Sequence, residues 1–144
     1  MRGILAAIGL MMVCSCYALK VISLEMSSDA DNQLQIMDDI RLPVKSKTQA
    51  GIIKSHPIAL VNFSSPIFAI GDDAISRDWL VKHAAEMKAM NALGFITNVE
   101  TKAHLQQLEE LAGFPLMPVN IDDLSEILQV SHYPFVFESG VVWQ

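Results

Sequence analysis

The sequence predicts a mixed α/β domain over residues 58–144, with the element order β-α-β-α-β-α-β-β. Three observations predict it. Short β-prone runs alternate with helical patterns of roughly 10–15 residues, a spacing that implies parallel strands joined by right-handed crossovers. Two of the helical stretches carry their own start and stop residues. The last two strand candidates are too close for a crossover, so they pair as an antiparallel hairpin.

In chain order, residues 1–18 read as a secretory signal: Arg2, an apolar run over 3–13, and Cys16-Tyr17-Ala18 ending in a small residue. The run falls short of the ~20 apolar residues of an ordinary spanning helix. The alternatives are an uncleaved N-terminal anchor and lipidation at Cys16. Residues 19–57 read as an irregular arm or linker, with a first strand at 19–26, a polar turn at 27–33, and Asp38, Asp39, Pro43 and Gly51 further on.

Residues 58–63 and 66–70 are two short β-prone runs, and Gly71-Asp72-Asp73 breaks the second. Ser76 is a candidate N-cap for a helix running to about Asn91, with Asp78 in its first turn. Leu80, Ala84 and Met87 form its stripe, Trp79 lies beside them, and Lys82 and Glu86 make an i,i+4 pair. Residues 95–99 follow as a strand. Thr101 caps a helix over 102–112 with Leu105, Leu108, Leu111 and Ala112 inside, and Gly113 closes it. Residues 116–121 form the next strand. Asp122 or Asp123 opens a short helix with Leu124, Ile127 and Leu128 inside. Pro134 precedes 135–137, a turn at 138–140, and 141–143.

Composition narrows the function classes. The 144 residues are 51% hydrophobic and 18% charged, which suits one domain with one core. A formal charge of −6 with no Lys/Arg cluster argues against direct nucleic-acid binding. Both cysteines, Cys14 and Cys16, lie in the leader. Cleavage after Ala18 therefore leaves no thiol for a disulfide or for redox chemistry, although export permits disulfides.

The element order, with Val130-Ser131-His132-Tyr133-Pro134 leading into residues 135–137, resembles a thioredoxin-like domain without its final helix. The resemblance implies a cis proline at Pro134, before the penultimate strand. A proline cannot donate to a ladder, so the strand begins there. The dithiol of that fold would fall at residues 98–101, which hold no cysteine. A thiol oxidoreductase would then depend on Cys14 and Cys16 in a retained leader.

A second resemblance covers residues 66–144. Phe68-Ala69-Ile70-Gly71-Asp72-Asp73, Ser76-Arg77-Asp78-Trp79-Leu80, residues 93–99, Pro118, Asp122-Asp123-Leu124 and His132-Tyr133-Pro134, with Gln144, are similar to a family of exported proteins encoded on integrating conjugative elements. It implies a periplasmic accessory protein, with other conjugation-apparatus envelope proteins as partners and a possible membrane tether through the N-terminus.

Two loops carry the candidate chemistry. Gly71, Asp72, Asp73 and Ser76 stand between a strand and a helix, where α/β folds place ligands. Asp72 and Asp73 are positioned to hold a divalent ion or to act as acid and base in a metal-dependent hydrolase. The structural alternative is that they fix the loop by accepting backbone N–H groups. His132 and Tyr133 flank Pro134 and are candidate interaction residues, as are Arg77 and Trp79, residue types frequent at interfaces. Trp79 reads equally as core, and Arg77 as the partner of a nearby acid. His56, His83 and His104 have no metal-ligand spacing, and no cofactor motif is present. The terminal strand at 141–144 reads as an exposed edge able to take a partner strand.

Overall fold

The computed structural model describes residues 41–59, 63 and 65–144. The expected leader, both cysteines, the strand and turn expected over 19–33, and half of the run at 58–63 lie outside those residues. The rest forms a mixed α/β fold with three helices. The described strands are β1 (Gln49–Ala50), β2 (His56–Pro57), β3 (Ile67–Gly71), β4 (Leu93–Thr97), β5 (Met117–Pro118), β6 (His132–Tyr133), β7 (Phe135–Glu138) and β8 (Val141–Trp143). The helices are α1 (Ala74–Ala89), α2 (Lys102–Ala112) and α3 (Asp122–Ile127).

Six strands form one sheet in the order β2-β8-β7-β3-β4-β5. β3, β4 and β5 run parallel, because α1 and α2 carry the chain back between them. β7 pairs antiparallel with β3, and β8 with β7. Every residue of β3 is buried, as a strand covered on both faces requires. Its alternation splits the core. Phe68 and Ile70 face Leu80, Met87, Leu105 and Leu108 of α1 and α2. Ile67 and Ala69 join Phe135 and Phe137, with Ile121 and Leu128 flanking α3. The hairpin turn places Ser139 and Gly140 at φ 50° and 80°, the left-handed pair that matches strand twist.

α2 spans the expected residues. The Thr101 hydroxyl accepts from the His104 N–H at 3.3 Å, and Gly113 takes φ 77° to end the helix. Elsewhere the structure corrects the expectations. Asp73, not Ser76, caps α1: its carboxylate accepts the Ser76 N–H at 2.8 Å. The carboxylate three residues upstream reaches the orphan N–H, so Ser76 becomes the buried third residue of the first turn. Glu86 pairs with His83 at 3.1 Å rather than with Lys82. Leu111 and Ile127, expected inside, are 39% and 50% exposed. α3 begins after Ile121 without a side-chain cap, because the Asp122 carboxylate is turned outward to another segment.

The strand expected over 116–121 pairs only at Met117–Pro118. Val119 still donates to the Ile96 carbonyl, but Asn120 and Ile121 turn to residues 45 and 46 instead.

The largest difference lies in residues 44–57, expected as part of an irregular arm. They are irregular, yet they are stitched into the domain. Val44 is buried and donates to the Val99 carbonyl. β1 pairs parallel with β6, and Gly51 donates to the Tyr133 carbonyl at 2.9 Å. β2 pairs antiparallel with β8, so the edge expected to be open at 141–143 is occupied. A segment without regular structure can be buried only if its backbone groups find partners, and strand edges and side chains supply them here.

Candidate functional site

The sequence-predicted loops meet at the C-terminal ends of β3 and β4. Gly71 ends β3 and Thr97 ends β4 at paired positions. Asn98 follows at φ 51°, a left-handed conformation that asparagine tolerates. The β6–β7 corner brings Tyr133 and Pro134 beside them, with the Tyr133–Pro134 bond cis. Gly71 is required by this approach: a Cβ there would lie within contact distance of the Tyr133 ring and hydroxyl. Gly71→Ala is therefore expected to cost about 1–3 kcal/mol, read from urea unfolding, as the buried ring is forced from its place.

Each candidate carboxylate is committed. Asp73 accepts from the Ser76 N–H at 2.8 Å and from the Ser76 hydroxyl at 2.9 Å, and that hydroxyl accepts from the Gly71 N–H at 2.9 Å. Asp72 holds Arg77 Nη2 through one oxygen and His104 Nδ1 through the other, each at 2.6 Å. Trp79 is buried, packs on Phe68, and stacks on His83 with ring centroids 4.7 Å apart. Its indole N–H is buried and has no hydrogen-bond partner among the described residues. His132 is half-exposed, whereas Tyr133 is buried. Burial pushes the Tyr133 hydroxyl above its ordinary value, and the nearby Asp73 and Asp72 carboxylates act in the same direction.

The strap formed by residues 44–51 lies across this end of the sheet. Asn98 is its main anchor. Its Oδ1 accepts from the Ser46 N–H at 2.8 Å, and its Nδ2 donates to the Thr48 carbonyl and to the Tyr133 hydroxyl, both at 3.0 Å. Buried Ser46 shares a 2.6 Å hydrogen bond with Thr97 Oγ1 and accepts from the Ile121 N–H. The Asp122 carboxylate gathers the N–H groups of Lys47 and Thr48 and the Thr48 hydroxyl. Gln144 ties the next stretch, donating to the Gly51 and Pro134 carbonyls and accepting from the Ile53 N–H.

The Lys47 N–H, then that of Thr48, holds the Asp122 carboxyl down to about 2 from an ordinary 3.8. A depressed carboxyl stabilises the fold fully above its ordinary value and ceases to do so as pH falls through the lower one. The strap should loosen between about pH 4 and pH 2. Asp122→Asn should remove that step and raise exchange of the Lys47 and Thr48 amides roughly tenfold or more at neutral pH, measured by NMR.

The site thus unites Gly71, Asp72, Asp73, Ser76, Arg77, Tyr133 and Pro134. Trp79 turns into the helix-covered core and His132 lies along the strap. The sequence reading missed Asn98, Ser46, Thr97, His104 and Gln144. The strand expected over 95–99 includes Asn98; the observed strand is Leu93–Thr97, so Asn98 stands just after it, three residues before the capping Thr101. Among the described residues, no cluster of three or more His, Cys, Asp or Glu is arranged to hold a metal ion. No described helix is long and apolar enough to cross a membrane. A separate cavity of about 590 Å³ lies at the opposite end of β4, lined by residues such as Leu93, Phe95, Phe114 and Met117. It contains none of the candidate residues.

A family model described as a protein of unknown function (DUF2859) matches residues 22–141. Nothing matches among curated proteins or among solved structures.

Proposed function

Because the chain belongs to the DUF2859 family, we propose that it is a non-enzymatic, protein-binding accessory of the cell envelope. In this reading it serves the DNA-transfer apparatus of an integrating conjugative element, from the periplasm, on a thioredoxin-like domain that lacks the dithiol. The observation that carries the non-enzymatic part is the commitment of Asp72 and Asp73. Asp72 is neutralised by Arg77 and bound by His104, and Asp73 is spent on the first turn of α1. Carboxylates used in this way serve loop geometry better than metal binding, which needs several free oxygens. The leader motif supports export, and the signatures at 68–73, 76–80 and 132–134 support the conjugative setting.

The test is crosslinking of the full chain in conjugating cells, followed by identification of the captured proteins. Recovery of envelope components of the transfer apparatus is expected. Recovery of none, or normal transfer after deletion of the gene, overturns the reading. Asp72→Ala distinguishes the hydrolase alternative. A folded variant that has lost both transfer and a bound divalent ion would favour an enzyme over an interaction protein.

A further inference from the structure

His56 lies where the chain leaves the strap and enters β2. Its two ring nitrogens face two carbonyl oxygens: Nδ1 is 2.9 Å from that of Lys54, and Nε2 is 2.9 Å from that of Leu128. A carbonyl oxygen only accepts. A neutral imidazole has one N–H, so one contact would be a hydrogen bond and the other would set lone pair against lone pair. An imidazolium donates to both. Leu128 caps the end of α3, so the cation joins that helix to β2 across 72 positions of chain.

We propose that His56 is a pH-sensitive clasp: its imidazolium, held between the Lys54 and Leu128 carbonyls, fastens β2 over β8, and loss of its ring proton frees that edge.

The surroundings leave the ring to these two carbonyls. Among the described residues, the shallow cavity beside it is walled by Ile52, Ile53, Lys54, Gln129, Val130 and Ser131, so Lys54 is the other titratable group there. α3 carries Asp122, Asp123 and Glu126, and Asp122 is turned to the strap. β8 carries no charge, and the turn before it contributes Glu138. The Lys54 carbonyl, then that of Leu128, raises the ring above its ordinary 6.5, and burial opposes them. A raised histidine contributes its stability in full below the ordinary value and loses it as pH rises through the higher folded one. The clasp is closed in acid and opens toward alkaline pH.

β2 is only two residues long and pairs at His56–Val142 and Pro57–Val141, with the Ile58 N–H reaching the Gly140 carbonyl at 2.8 Å. Once it lifts, β8 presents an unpaired edge of main-chain N–H and C=O groups. The clasp is independent of any role in DNA transfer.

The test uses the full chain in solution. Long-range ¹H–¹⁵N spectra of His56 should show both nitrogens protonated in acid and a midpoint above that of the same ring in the urea-unfolded chain. Protection of the Ile58 amide, corrected for intrinsic exchange, should fall roughly tenfold or more between about pH 5 and about pH 8. His56→Gln should leave that protection low and equal at both pH values while the amides of β3 stay protected. The proposal is overturned by a ring midpoint at or below the unfolded one, by Ile58 protection that does not change with pH, or by a pH response that survives in His56→Gln. Should the variant not fold, the wild-type ring titration decides alone.

Discussion

Asn98→Ala is expected to destabilise the protein by about 3–4 kcal/mol, because one side chain holds three segments together. Its amide satisfies the Ser46 N–H, the Thr48 carbonyl and the Tyr133 hydroxyl. Leaving a buried polar group without its partner costs about 1–3 kcal/mol, and the three hydrogen bonds are part-buried, so the sum sits below three full penalties. Alanine also meets φ 51° without the local hydrogen bonding that lets asparagine occupy it, which adds about 1 kcal/mol. The loss should appear as a lower urea midpoint, together with raised exchange at Ser46. Asn98→Asp separates the two causes. It keeps the acceptor for the Ser46 N–H and tolerates the backbone, yet it cannot donate to Thr48 or Tyr133. An alanine variant of unchanged stability would mean that the strap is held without Asn98.

Phe68→Ala is expected to cost about 3–5 kcal/mol. The ring is fully buried under β3, with Trp79 and Phe114 each 5.9 Å away between ring centroids. It also packs under Gly94, where an added Cβ would meet its ring edge at 2.6 Å. Close backbone approach on one side and two aromatics on the other leave little room to collapse into the cavity, which places the cost toward the upper end. Equilibrium unfolding measures it. A loss below about 1 kcal/mol would show that the helix layer can close over the gap. Neither side chain is a partner of the His56 ring, whose nitrogens face the Lys54 and Leu128 carbonyls, so neither substitution should alter the pH response of Ile58.

How much of this was legible depended on how local the cause was. α2 was readable to the residue, because Thr101, the leucine spacing and Gly113 are all within the helix or next to it. The hairpin was readable for the same reason, through Ser139-Gly140 and the proline before β7. The start of α1 was misread because Asp73 and Ser76 both have capping chemistry, and only geometry reveals which one accepts. The strap was not legible as structure. Its strands are two residues long, and its partners are side chains and strand edges roughly half a chain away. No periodicity records such contacts. Asp122 shows the limit most clearly: read as a helix opener, it is the first residue of α3, but its oxygens accept from Lys47 and Thr48, which nothing in the local sequence records.

That separation has a consequence for how the polypeptide is made. Thr48 and Asp122 are 74 positions apart, and Gly51 and Gln144 are 93 apart. Synthesis delivers the earlier member of each pair well before its mate exists. Helices α1 and α2, whose contacts are near in sequence, are free to form in the interval. Residues 44–51 must wait with their amides in water until the final third emerges, so any product cut short before residue 120 carries an unclosed seam and the adhesive backbone that goes with it.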